Sequence, residues 1–187
     1  MQPTNRAPVA SEAPWAPSDE VLRRFDLSGP RYTSYPTADR FVEAFGPAEY
    51  RQALAHRAEV GSRLPLSVYV HIPFCDSVCY YCACNKVITK HHERAAEYLD
   101  ALDAEIALLM AQARPGQPVS QLHFGGGSPT FLSDAELQRV VASLRRAFSI
   151  DDNTEMSIEI DPRTVTPARL AHCRALGFNR ISFGVQD

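Results

Sequence analysis

With 187 residues, a hydrophobic share of 45% and a charged share of 22%, the chain has the length and composition of one globular domain with a core of its own. Its 19 basic and 22 acidic residues leave a net charge of -3, a balance that implies no nucleic-acid or membrane-surface partner. No stretch approaches the ~18 apolar residues of a membrane span, and the start lacks the basic-then-apolar layout of a secretory signal. A cytoplasmic monomer without nucleic-acid or membrane partners is therefore expected.

Residues 1–17 are dominated by Pro, Ala and Ser without a periodic apolar face, which predicts a disordered leader. Residues 18–60 read as an N-terminal extension with short helices. Ser18 caps a short helix containing Val21-Leu-Arg-Arg-Phe25, the segment Gly29-Pro-Arg-Tyr-Thr-Ser-Tyr-Pro36 is extended, and an amphipathic helix runs from Pro47 to about Ala58.

Residues 61–187 form the predicted core domain. Leu66–Ile72 is β-rich and stopped by Pro73, so it reads as a strand entering a cysteine loop. A helix follows over about Glu93–Ala113, then a strand Ser120–Phe124 leading into Gly125-Gly-Gly-Ser128, and a helix from Ser133 to about Phe148. A third strand spans Glu155–Ile160, a helix Pro167–Leu176 with Gly177 as its stop, and a fourth strand Arg180–Val185. Alternating strands and helices predict an α/β fold with a parallel sheet and right-handed crossovers. Four strands with no closing helix would make it a partial parallel (β/α) barrel, truncated after the fourth strand.

Four of the five cysteines, Cys75, Cys79, Cys82 and Cys84, lie in one loop, whereas a disulfide framework would spread them. Three thiolates at Cys75, Cys79 and Cys82 can hold three irons of a [4Fe–4S] cluster and leave the fourth iron open for chemistry. Zinc is the competing reading, with Cys84, His91 or His92 as a fourth ligand. One residue between Cys82 and Cys84 is awkward for a single tetrahedral ion, and no second cysteine pair follows, so the cluster is favoured.

Gly125-Gly-Gly-Ser-Pro-Thr130, between strand and helix, lets a ligand approach the backbone and could offer it N–H groups; by itself it is equally a tight turn. Glu159 stands near the C-terminal end of an apolar strand, where α/β folds place their sites, unless it simply faces outward. His71, His123 and His172 read as satisfied structural groups, and Cys173 as a small buried hydrophobe. Arg63, Lys86 and Lys90 read as solvated surface charge with some capacity to meet a carboxylate.

The loop Cys75-Asp-Ser-Val-Cys79-Tyr-Tyr-Cys82, with an aromatic residue before its third cysteine, resembles the signature of the radical S-adenosylmethionine (SAM) superfamily. Gly29-Pro-Arg-Tyr-Thr-Ser-Tyr-Pro-Thr37, Tyr69-Val-His-Ile-Pro-Phe-Cys75 and Cys82-Ala-Cys84 carry the resemblance further, to the oxygen-independent coproporphyrinogen III oxidases. It implies that Cys75, Cys79 and Cys82 bind the cluster, and that the open iron chelates SAM and cleaves it to methionine and a 5′-deoxyadenosyl radical. It implies contacts of Tyr69, Gly126 and Glu159 with that SAM, and of Tyr81, Gly127, Ser128 and Gln186 with a second SAM. Ser128 stands where these oxidases usually show threonine. The implied reaction turns two propionates of coproporphyrinogen III into vinyl groups, using an unidentified electron donor. A haem chaperone on the same scaffold, which usually shows phenylalanine at the Cys84 position, and an inactive truncated product are the alternatives.

Overall fold

The computed structural model describes residues 17–26, 37, 40–59, 64–79, 82, 84–112 and 116–184. The expected leader, the Gly29–Pro36 segment, Tyr81 and Gln186 lie outside them, apart from Pro17. Two compact units divide the chain, Met1–Phe45 and Gly46–Asp187, and each is described by itself.

The first unit contains helix α1 (Asp19–Phe25), whose first turn is closed by the Ser18 hydroxyl accepting from Val21 N–H at 3.3 Å. Acidic residues at its start and Arg23 and Arg24 at its end complement the helix dipole.

In the second unit, α2 (Pro47–Glu59) is present as expected but buries no residue, so the amphipathic face read from the sequence is not used as a core face. Arg57 leaves this helix to donate to the Leu64 carbonyl at 2.6 Å.

The sheet is built from β1 (Leu66–Ile72), β4 (Gln117–Gly126), β6 (Glu155–Ile160) and β7 (Arg180–Phe183), in that spatial order and with every pairing parallel. Consecutive strands are joined through α3 (Arg94–Met110), α4 (Asp134–Ala147) and α5 (Pro167–Ala175). Three short strands were not foreseen: β2 (Phe74–Cys75) pairs with β3 (Val87–Ile88) across the base of the cysteine loop, and β5 (Phe148–Ser149) extends the start of β4. Two-residue strands carry no periodicity for a sequence to reveal.

Alternation along the strands separates two faces. Val70 and Ile72 of β1, Leu122 and Phe124 of β4, and Met156 and Ile158 of β6 are buried with Leu99 and Ile106 of α3, Leu137, Val140, Val141 and Leu144 of α4, and Cys173 of α5 in one core. The residues between them on the strands are Tyr69, His71, His123, Ser157 and Glu159, an unusually polar set for a parallel sheet. Register places Tyr69 beside His123, His123 beside Ser157, and Glu159 beside Ser182.

Helices α3 and α4 are locked by polar contacts as well as by the core. Arg139 donates to Asp100 at 2.6 Å and to Asp103 at 2.7 Å, and Ser143 donates to Asp103 at 2.6 Å. Ser133 and Glu136 form a reciprocal capping box at the start of α4. Among the described residues, no helix is long and apolar enough to cross a membrane.

Candidate functional site

Where β1 ends, Pro73 stops the strand and the chain enters the cysteine loop, held at its base by β2 and β3. The glycine strip at the end of β4 is stapled to this base: Gly127 N–H donates to the Ile72 carbonyl and Ser128 N–H to the Phe74 carbonyl, both at 2.8 Å. A side chain at 127 would place its Cβ 2.6 Å from the Phe74 oxygen and 2.9 Å from Cys75 Sγ, so only glycine fits. Gly126 has φ +108°, and a Cβ there would lie 2.6 Å from the His71 ring.

Glu159 reaches the same strip from β6. Its Oε1 accepts from His123 Nε2 at 3.3 Å and its Oε2 accepts from Gly126 N–H at 3.3 Å. His123 is held from its other side by the Ser157 hydroxyl at 2.6 Å, and its ring stacks on Tyr69 at 5.7 Å between centroids. The Tyr69 hydroxyl meets His71 Nδ1 at 3.2 Å, while His71 Nε2 faces the Asn85 carbonyl at 2.9 Å. A carbonyl can only accept, so Nε2 carries a proton, and in the neutral ring Nδ1 then accepts from the tyrosine. Burial, then Glu159 and Cys84, push the Tyr69 phenol up and keep it protonated as that donor.

An open cavity of about 440 Å³ lies at these strand ends. Cys79, Cys82 and Cys84 line it on the loop side, with Gly126, Gly127 and Ser128 on the β4 side and Glu159, Asp161 and Ser182 from β6 and β7. Cys75 stands behind the Gly127 wall, and Tyr69 faces a separate hollow beside α3, linked to Glu159 through His123.

The thiols of Cys75, Cys82 and Cys84 are shifted by the loop around them. Burial, then the neighbouring thiols Cys82, Cys79 and Cys84, pushes the Cys75 thiol up to about 11, with Lys86 pulling the other way. Cys82 is lowered, first by the Cys84 backbone N–H and further by the Cys84 thiol and Lys86. Cys84 is raised, first by burial and then by its bond to Cys82. Lys86 also donates to the Cys82 and Cys84 carbonyls, at 3.3 and 3.4 Å, and so braces the loop from inside.

A family model described as the Radical SAM superfamily matches residues 69–187. The chain belongs to the radical SAM superfamily. An oxygen-independent coproporphyrinogen III oxidase of Pseudomonas aeruginosa is 51% identical over 170 residues, covering 90% of this chain and 36% of that protein. The same-named protein of Escherichia coli is 49% identical over 167 residues, covering 89% of this chain and 35% of its own length. A solved structure described as coproporphyrinogen III oxidase from Escherichia coli, a radical SAM enzyme, superposes with TM-score 0.75 at 45% identity, covering 90% of this chain and 36% of that one. The chain thus spans about a third of the length of these relatives.

Membership of the superfamily brings a [4Fe–4S] cluster and SAM to this site class. The donor set present fits the cluster. Cys75, Cys79 and Cys82 are free thiols without a disulfide, and soft sulfur donors suit iron–sulfur chemistry. Among the described residues, no three His, Cys, Asp or Glu side chains are grouped as for a single metal ion.

The structure revises one expectation for the glycine strip. N–H groups of Gly126, Gly127 and Ser128 are committed to Glu159, Ile72 and Phe74, so they are not donors for a ligand. His71 and His123 are satisfied, as expected, and they also buttress Tyr69 and Glu159, which sequence reading did not detect. Their signal was the polar alternation Tyr69-x-His71 on β1 and Ser157-x-Glu159 on β6. His172 meets the Asp134 carbonyl at 3.2 Å, and Cys173 is 1% exposed. Lys90 lies 3.9 Å from Asp76, and Arg63 is outside the described residues.

Proposed function

We propose that this chain supplies the cluster and SAM sites of an oxygen-independent coproporphyrinogen III oxidase, with 61–187 as its core domain. The observation that carries the reading is the cavity at the strand ends, where the cysteine loop faces Glu159 across the Gly126–Ser128 strip.

Cys75, Cys79 and Cys82 are the cluster ligands in this reading. When bound, the cluster with SAM would supply a 5′-deoxyadenosyl radical, the hydrogen-atom acceptor for chemistry at a propionate β-carbon. The protein's own part is binding and alignment. The Glu159 carboxylate, fixed by His123, offers negative charge to a cationic group of SAM. With its N–H groups committed, the glycine strip meets an ammonium group through its carbonyl oxygens. Tyr69, anchored through His71 to the loop, positions His123 from behind.

Gly127 and Ser128, with Tyr81 and Gln186, are assigned to a second SAM. Coproporphyrinogen III is the substrate, and an electron donor of unassigned identity feeds the cluster.

Anaerobic reconstitution with iron and sulfide tests the reading. The chain is expected to take up both in the proportions of one [4Fe–4S] cluster, and Cys79→Ala to lose it. Tight zinc uptake without a cluster, or an intact cluster in Cys79→Ala, would overturn it. Stoichiometric haem binding without turnover by the protein extended to its relatives' length would instead favour the chaperone.

A further inference from the structure

Arg163 lies in the turn after β6, distant in sequence from the cysteine loop, yet its side chain ends against that loop. Its NH2 group is 3.7 Å from Cys79 Sγ and 3.3 Å from Ser77 Oγ, within the geometry of N–H donation to both. The guanidinium is aimed there by Asp161, which accepts from Arg163 Nε at 2.9 Å and from NH2 at 2.6 Å. Asp161 also accepts from Arg163 backbone N–H at 3.0 Å, and its carbonyl accepts from Thr164 N–H at 3.0 Å, so the turn presenting the arginine is itself fixed. Asp161 is 17% exposed and Arg163 47%, which places the pair at the rim of the cavity rather than in free solvent.

We propose that Arg163 is a positioning residue that clamps the 77–79 segment to the end of β6 and donates an N–H to the Cys79 sulfur, raising the reduction potential of the cluster held there. The inference rests on Cys79 being a cluster ligand. A ligating sulfur gains negative charge when its cluster accepts an electron, so a cationic donor at that sulfur stabilises the reduced form more than the oxidised form. Asp161 offsets part of the charge, but its carboxylate binds the guanidinium and does not itself contact the sulfur. The direct N–H contact therefore decides the sign. Because Asp161 follows Glu159 by two residues on the same strand end, the clamp also fixes the distance between the cysteine loop and the Glu159 wall of the cavity.

The test is a redox titration of the reconstituted chain, followed by the electron paramagnetic resonance of the reduced cluster. In Arg163→Gln the ratio of reduced to oxidised cluster at a fixed ambient potential is expected to fall about tenfold, a shift of about 59 mV for one electron. Ser77→Ala, which removes a loop contact without touching the Cys79 sulfur, is expected to keep the wild-type potential. If Arg163→Gln does not load a cluster, Arg163→Lys is read in its place. One ammonium cannot reach Asp161, Ser77 and Cys79 together, so its potential should fall below wild type. A wild-type potential in the variant that is read overturns the role of Arg163 and leaves the cluster assignment standing. Failure of the wild-type chain to form any cluster takes both down.

Discussion

Nε2 of His123 donates to Oε1 of Glu159 at 3.3 Å, while Ser157 holds the other ring nitrogen at 2.6 Å. A histidine in the middle of β4 thereby fixes a carboxylate on the neighbouring strand at the lip of the cavity. With its second oxygen on Gly126 N–H, Glu159 presents a preset charge rather than a mobile one.

Glu159→Gln keeps the size and removes the charge. SAM affinity is expected to fall about tenfold, the scale of one charge-assisted hydrogen bond, with the circular dichroism unchanged. Isothermal titration of the reconstituted protein measures it, and unaltered affinity would mean that this carboxylate only faces outward.

Gly127→Ala forces a methyl group against the Phe74 carbonyl and Cys75 Sγ. Both neighbours belong to the base of the cysteine loop, so relieving the strain shifts that base and with it Cys75, the proposed cluster ligand. A loss of about 1–3 kcal/mol in stability is expected from such overpacking, together with reduced iron uptake, readable by urea denaturation and iron analysis. Full iron uptake at wild-type stability would show that the strip and the loop are not coupled.

Phe124 is fully buried on β4 and meets Phe178 edge-on at 5.1 Å. Truncation to alanine should cost about 3–5 kcal/mol through lost burial and the cavity left behind. The expected readout is a lower denaturation midpoint with an unchanged slope.

Asp103 is held below the ordinary aspartate value, first by the Ser143 hydroxyl and then by Arg139. A depressed folded pKa means that the contribution to stability is complete above about pH 4, near the unfolded value, and is lost as pH falls through the folded value. Asp103→Asn should flatten that part of the acid-denaturation curve and lower stability at neutral pH. A variant curve parallel to wild type below pH 4 would show that the α3–α4 link is not carried by this charge.

The strand–helix alternation was legible because β1 and β6 combine β-branched or apolar residues with sharp stops, and their bounds were anticipated to the residue. Ser133 and Glu136 marked the start of α4 in the same way. Strand β4 was read as Ser120–Phe124 but runs over Gln117–Gly126, since its first residues are paired by the two-residue β5 and its last by register with β1. The cysteines and Glu159 were legible from spacing and position. His123 and Arg163 were not: each acts through a partner 36 or 84 residues away, and only parallel register and the return of the chain bring them together.

The most direct measurement is the electron paramagnetic resonance spectrum of the anaerobically reconstituted, reduced protein before and after adding SAM. A [4Fe–4S] signal that changes shape on SAM addition, and is lost in Cys79→Ala, is the predicted result. A cluster signal indifferent to saturating SAM would contradict the account, because the open iron and the Glu159 wall would then not share one cavity.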